Sequence, residues 1–317
     1  MTTETMEIIH YPDHPVPLHW RQPVLALGNF DGFHRGHAKI IEKIRVRADR
    51  TNAIGAILTF DPHPPRIVRP DKAPALLMTK EQKLEHLADA GIEGAAVVRF
   101  TPEMSRLEPA EFVRTVLVEW LHVSEVWVGS NFLFGRDRSG NFNLLKSLGG
   151  KYGFRVDKID PVRYKDFVVS STRIRRLIAD GNVDEAGALL GHHYSVEGEV
   201  VRGAGRGREQ GFPTANIRSE NDLMPRHGVY ASTVTVEGII YPAVTNIGVR
   251  PTFEEQGEEV VESHLFDFEG DLYETRIALD FVIRIRDEHA FKDESSLRRQ
   301  IAADCQEVKS LFDRMSL

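Results

Sequence analysis

The sequence predicts an α/β domain built on a parallel sheet, followed by a smaller antiparallel β-barrel with a terminal helix. Three observations predict this. The chain of 317 residues exceeds the usual size of one domain and leaves each half long enough to bury a core. Short apolar runs alternate with helical stretches through the first half. From Tyr194 onward the character changes to strand-like runs separated by Gly, Pro and acidic turns.

The elements follow in order. Val24, Leu25, Ala26 and Leu27 form a short buried-strand run, and Ile40, Ile41, Ile44 and Ala48 then recur at helical spacing. Further apolar runs lie at 54–60, 95–100, 123–128 and 154–159, with helical stretches such as 80–90 and 109–121 between them. Such alternation implies helices on both faces of a parallel sheet and a ligand crevice beyond the carboxyl ends of its strands. Residues 174–190 read as a linking helix, and the boundary falls near Gly191, giving domains 1–190 and 191–317. Strand-like runs at 195–201, 229–236, 239–245, 261–268 and 277–285 predict a small closed barrel. Leu297, Ile301, Val308, Leu311 and Phe312 predict a final helix over about 295–312.

Composition narrows the class. Apolar residues make up 41% and charged residues 27%, and no apolar run approaches the roughly 18 residues of a membrane helix, so no membrane association is expected. Residues 1–20 lack a basic segment followed by an apolar one, which predicts a cytoplasmic protein. The single Cys305 excludes an internal disulfide framework and a cysteine-rich metal site. A net charge of -7 disfavours nucleic-acid binding as the main function but leaves room for a local basic pocket.

The most informative segment runs from Gly28 to His37, reading GNFDGFHRGH, where the first apolar strand hands over to a helix. Unpaired backbone N–H groups and the positive end of the macrodipole favour phosphate oxygens there. Gly32 and Gly36 let the backbone approach, and imidazole N–H groups of His34 and His37 complete a cradle. This suits attack on the α-phosphate of ATP, which needs alignment of two anions and neutralisation of their charge. The HxGH pattern alone fits an ordinary strand-to-helix turn equally well; its strand and helix context is what makes it specific.

Other segments supply companions. Ser170, Ser171 and Thr172 open a helix and Arg175 follows one turn in; they cap the helix or hold a phosphate, and capping alone explains them unless the HxGH segment is considered too. Asp61 and His63 border the first site or belong to a strand exit stiffened by Pro62, Pro64 and Pro65. The glycine-rich basic run 202–208 has the makings of an anion nest, although a hairpin with solvated arginines has the same composition. Thr214 and Asn216, two apart in an extended segment, point to one side and offer neutral oxygens suited to Mg2+.

These residues resemble the prokaryotic bifunctional riboflavin kinase/FMN adenylyltransferase family, also called FAD synthetases. GxFDGxHxGH is matched from Gly28 to His37, TFDPHP from Thr59 to Pro64, GxNFxFG from Gly129 to Gly135, SSTxIR from Ser170 to Arg175, and GRxxGFPTAN from Gly207 to Asn216. The resemblance implies a Rossmann-like nucleotidylyltransferase domain followed by a riboflavin kinase-like barrel. It implies phosphorylation of riboflavin to FMN, then adenylylation of FMN to FAD with release of pyrophosphate. ATP is co-substrate for both steps, Mg2+ is required, and the ligands are riboflavin, FMN, FAD and ATP.

The same resemblance assigns roles. Gly28, Phe30, Asp31, Gly32, His34, Gly36, His37, Ser171, Thr172 and Arg175 bind ATP for adenylyl transfer, with His34 and His37 catalytic. Asn131 and Phe132, with Asp61 and His63, place flavin or nucleotide. Gly203, Gly205, Arg208, Gly211, Thr214 and Asn216 bind ATP for the kinase, with Thr214 and Asn216 at the metal. Glu262, in an ExHxxDF match, is the base; the residues alone do not single it out from Glu254, Glu255, Glu258 and Glu259. Two positions depart from the family pattern: Glu274 stands where glycine is usual, and Gln210 where an aliphatic residue is usual. Two rivals are a FAD synthetase whose barrel has lost turnover, releasing no ADP from riboflavin, and a non-catalytic flavin-binding module, releasing neither ADP nor pyrophosphate.

Overall fold

A computed structural model describes residues 6–203, 211–250 and 258–315. The chain forms two compact units, residues to Ala75 with Lys80–Ser170, and Leu76–Thr79 with residues from Ser171 onward.

The first unit contains strands β1 (Glu7–Tyr11), β2 (Val24–Leu27), β3 (Gly55–Asp61), β4 (Gly94–Arg99) and β5 (Glu125–Gly129), a hairpin of β6 (Leu133–Phe134) and β7 (Gly140–Asn141), β8 (Arg155–Ile159), and a hairpin of β9 (Arg163–Tyr164) and β10 (Phe167–Val168). Its helices are α1 (Arg35–Thr51), α2 (Pro64–Val68), α3 (Lys80–Asp89), α4 (Pro102–Ser105), α5 (Pro109–Phe112) and α6 (Phe142–Tyr152). After α5 the chain continues as π-helical turns over Val113–Trp120. Six strands form one sheet in the order β1-β4-β3-β2-β5-β8, every pair parallel.

Alternate side chains feed two cores, as the pleat requires. Leu25, Leu27, Leu58 and Val126 pack with Phe112, Val116, Leu117 and Leu145 on one face, while Val24, Ala26 and Ile57 pack with Ile40, Ile41, Ile44 and Leu87 on the other. Helices therefore cover both faces, as expected. The edge strand β1 escaped the sequence reading because only Ile9 is buried, which leaves no apolar run to detect. The chain passes from β2 to β3 on one side and later returns to β5 on the other, so β2 and β5 flank the switch point where α/β sheets bind ligands.

One buried ion pair ties α1 to β5. Arg47 Nη2 lies 2.7 Å from Glu125 Oε2, and Trp127 Nε1 donates to Glu125 Oε1 at 2.7 Å. Burial pushes the Glu125 carboxyl up, but the hydrogen bonds from Arg47 and Trp127 and the nearby positive charge outweigh it and leave it below the usual carboxylate range. Glu125→Ala would strand Arg47 and the indole N–H, and is expected to cost about 3 kcal/mol in a denaturant melt. Because the folded-state value is depressed, this pair's contribution is present above the ordinary glutamate pKa and is lost as pH falls through the folded-state value. Acid sensitivity should therefore be smaller in the variant than in the parent.

The second unit begins with α7 (Ser171–Ala179) and α8 (Val183–Leu190). The single linking helix expected over 174–190 is thus two helices, broken where Gly181 takes φ +86°. Strands β11 (Tyr194–Val201), β12 (Ala215–Ser219), β13 (Gly228–Val236), β14 (Ile239–Arg250), β15 (Glu258–Leu265) and β16 (Arg276–Arg286) form a closed barrel in the order β11-β12-β15-β14-β13-β16, antiparallel throughout. Its interior carries a ladder of hydroxyls, Ser232 Oγ to Thr245 Oγ1 at 2.6 Å and Thr245 Oγ1 to Ser263 Oγ at 2.9 Å. The terminal helix α9 (Glu294–Met315) packs Cys305, Val308 and Phe312 against Val229, Ala231 and Val244, and Arg286 pins it through two-pronged hydrogen bonds to buried Asp304. Burial, helped by Asp304, pushes the Cys305 thiol up to about 11, which marks it as a packed, unreactive group. No helix among the described residues is long and apolar enough to cross a membrane.

Candidate active sites

The first site assembles at the carboxyl ends of three adjacent strands. The Gly28–His37 loop leaves β2, Asp61 ends β3, and Ser130 and Asn131 form the turn after β5. The loop is held in a strained form, with Phe30 at φ 53°, Gly32 at 84° and Phe33 at 34°. A left-handed non-glycine residue costs about 1–3 kcal/mol, so the surroundings must enforce it. They do: Phe30 is buried in the core beneath α1, and Phe33 stacks on His86 of α3 with ring centroids 5.7 Å apart.

His34 is both the last loop residue and the cap of α1. Its Nδ1 accepts the His37 backbone N–H at 3.3 Å, and the two imidazoles stack at 3.7 Å between centroids. A Cβ on Gly36 would sit 3.1 Å from the His34 ring, so glycine is what lets that ring fold over the helix end. Two refinements of the expected cradle follow. The His37 amide is already engaged within the chain, and a neutral His34 ring carries its proton on Nε2. Burial, reinforced by His34 and then Lys83, holds the His37 imidazole well below its ordinary pKa, so near neutral pH it serves as a hydrogen-bonding group instead of a cation. Its Nδ1 is buried without a hydrogen-bond partner, as a group awaiting a ligand would be.

Around this centre, Lys80 Nζ pairs with Asp61 Oδ2 at 3.1 Å, and Arg35 lies 5.1 Å over the ring of Tyr164 in the β9–β10 hairpin. Asp31 is buried, Asn131 is exposed in its turn, Phe132 stacks on Phe134 at 5.5 Å, and half-buried His63 precedes α2. Ser171, Thr172 and Arg175 lie in the first turns of α7, within the other compact unit. Lys83, which the motifs did not flag, reaches the same centre from α3.

The second site lies on the outer face of the barrel. Asn216 of β12 and Asn246 of β14 both pair in register with Glu262 of β15. Because paired residues share a face, the carboxylate is flanked by two amides across three strands. Thr214, two residues before Asn216, is also half-buried, and His264 Nδ1 contacts the Pro213 carbonyl at 2.8 Å, fixing the entry to β12. Gly203 backs directly onto the Asn216 amide, where a Cβ would come within 2.3 Å of Nδ2, and Gly211 turns at φ +84°. Gly205, Arg208 and Gln210 lie outside the described residues, as do Glu254 and Glu255. Glu274 occupies φ 64°, so it adopts the glycine-like conformation of the family pattern despite its side chain. Asn246 escaped the sequence reading because its link to Glu262 exists only in the register.

The oxygens here fit a magnesium ion. Asn216 Oδ1 is buried without a hydrogen-bond partner, and amide, hydroxyl and carboxylate oxygens are the hard donors that Mg2+ takes. Among the described residues no cluster of three or more His, Cys, Asp or Glu could hold a metal ion.

A strand-end crevice bordered by two stacked imidazoles in a parallel sheet, followed by a barrel bearing an amide-flanked carboxylate, has the features of a two-module nucleotide-dependent transferase. The FAD synthetase family matches residues 16–173 and the riboflavin kinase family residues 190–312. The chain is 36% identical over 288 residues to the bifunctional riboflavin kinase/FMN adenylyltransferase of Pseudomonas fluorescens, covering 91% of this chain and 92% of that protein. It is 35% identical over 317 residues to the Bacillus subtilis protein of the same description, covering 98% and 99%. A crystal structure described as a macrolide-efflux protein from Streptococcus pneumoniae shares the fold, with a TM-score of 0.86 at 28% identity over 96% of this chain and 99% of that one. The chain belongs to the bifunctional riboflavin kinase/FMN adenylyltransferase family and has both activities, taking riboflavin to FMN and FMN to FAD with ATP as a substrate.

Proposed function

We propose that adenylyl transfer takes place at the β3–β2–β5 crevice and phosphoryl transfer on the β12–β15–β14 face of the barrel, with functional domains 1–190 and 191–317. The observation that supports this division is that the stacked His34 and His37 stand at the strand ends of the parallel sheet, while the amide-flanked Glu262 stands on the barrel. In the first, His34, His37 and the start of α1 bind ATP phosphates, and Asn131, Phe132, Asp61 and His63 place flavin or nucleotide; the family motif, and not the fold, is what assigns Ser171, Thr172 and Arg175 to the triphosphate. A phosphate oxygen of FMN attacks the α-phosphorus of ATP, the bond to the β-phosphate oxygen breaks, and pyrophosphate leaves. No base is needed, since the attacking group is already anionic; the protein aligns the two anions and hydrogen-bonds the charge.

In the second, Glu262 accepts the proton of the ribityl hydroxyl as its oxygen attacks the γ-phosphorus, and ADP leaves. Asn246 and Asn216 flank the carboxylate, and Thr214 and Asn216 hold Mg2+. When bound, the ion neutralises charge on the transferring phosphates. Nucleic acid has no part in either reaction. Assaying FMN formation from riboflavin and FAD formation from supplied FMN in the same variant tests the division: a substitution at one site that abolishes both reactions in folded protein contradicts it.

A further inference from the structure

We propose that Lys83 is a catalytic residue of adenylyl transfer, its ammonium binding a phosphate oxygen beside His34 and His37. The inference rests on the adenylyl-transfer reading of this crevice and adds a residue that the sequence motifs did not mark. Three observations carry it. The first is position: Lys83 Nζ lies 3.3 Å from Thr59 Oγ1, and that buried hydroxyl donates to the Asn29 carbonyl of the phosphate loop at 3.2 Å. The ammonium thus stands one side chain away from the loop. On the same face of α3, Lys80 pairs with Asp61 and His86 stacks on Phe33, so one helix face borders the crevice with basic side chains at i, i+3 and i+6.

The second observation is a missing counter-ion. Lys83 has no carboxylate within 4.0 Å among the described residues; Asp61 is taken by Lys80, and Asp31 acts only at longer range. A desolvated ammonium without an ion-pair partner is unfavourable, and a phosphate arriving in the crevice relieves it. The third is the neighbourhood. Burial lowers the Lys83 pKa although Asp31 and Asp61 oppose the shift, and the lysine's charge in turn helps keep His37 neutral. The neutral His37 imidazole beside the Lys83 ammonium suits an anion whose charge shifts during transfer. A purely structural role, propping Thr59, would need a hydrogen-bond donor but no charge.

The test compares Lys83→Met and Lys83→Arg in the full-length protein, measuring FAD formation from FMN and ATP, with FMN formation from riboflavin as the control for the barrel and a thermal melt followed by circular dichroism as the control for the first unit. Lys83→Met is expected to lose about 10²–10³-fold in kcat/KM for FAD formation, the scale of one transition-state donor, while FMN formation stays unchanged. A rise confined to the KM for ATP assigns the contact to the nucleotide; a rise confined to the KM for FMN assigns it to the flavin phosphate. Because the lysine's pKa is lowered, parental FAD formation should fall on the alkaline side before ordinary lysines lose charge, and Lys83→Arg should lack that limb. Lys83→Met activity within about threefold of the parent overturns the proposal. If Lys83→Met does not fold, an unmoved alkaline limb in Lys83→Arg overturns it. Failure of the underlying reading looks different: His34→Ala would then retain full FAD formation.

Discussion

His34→Ala should lower FAD formation from supplied FMN by about 10²–10³-fold while leaving FMN formation from riboflavin intact. Two losses combine in this variant. The ring that presents Nε2–H to the phosphates is removed, and the His37 amide loses the Nδ1 acceptor that orders the first turn of α1. The second loss is a capping effect of about 1 kcal/mol, too small to unfold the unit. It also frees His37, whose ring stacks on His34 at 3.7 Å, so both imidazoles are affected by one substitution. Intact FMN formation would show that the barrel is unaffected, and an unchanged thermal melt would show that the first unit is folded. Unchanged FAD formation would remove the HxGH loop from the chemistry.

Glu262→Gln should reduce ADP and FMN production by about 10²–10⁴-fold, the usual worth of a positioned general base, with FAD formation from supplied FMN preserved. Glutamine keeps the volume and the register between Asn216 and Asn246, so the variant tests proton acceptance and leaves strand pairing in place. The amide oxygen can still accept hydrogen bonds but has no basicity near neutral pH. Undiminished turnover would take Glu262 out of the base role and point to a different acceptor on the barrel face.

Much of this was legible in the residues, and the reason is period. Buried parallel strands announce themselves as unbroken apolar runs, so β2 at Val24–Leu27 is recovered to the residue. The α1 stripe of Ile40, Ile41, Ile44 and Ala48 is also the buried set observed. Edge strand β1 has one buried side chain and no such signature. The break between α7 and α8 does leave a trace in the residues: Val183 follows Ile178 by five positions, which turns the second apolar stripe away from the face of the first, with Gly181 and Asn182 in the gap. Within the sites, residues contiguous in a motif were found and residues brought in by topology were not. Lys83 joins the crevice because α3 packs beside β3, and Asn246 joins Glu262 through the β14–β15 register. Neither relation has a fixed spacing in sequence.

The central claim is that one chain carries two separate ATP-consuming sites acting in series. Incubation of the purified protein with riboflavin and Mg-ATP, with flavins resolved by chromatography over time, tests it most directly. The account predicts that FMN rises first and FAD follows, with ADP accompanying the first product and pyrophosphate the second. Riboflavin recovered unchanged, with neither flavin nucleotide formed, would contradict it.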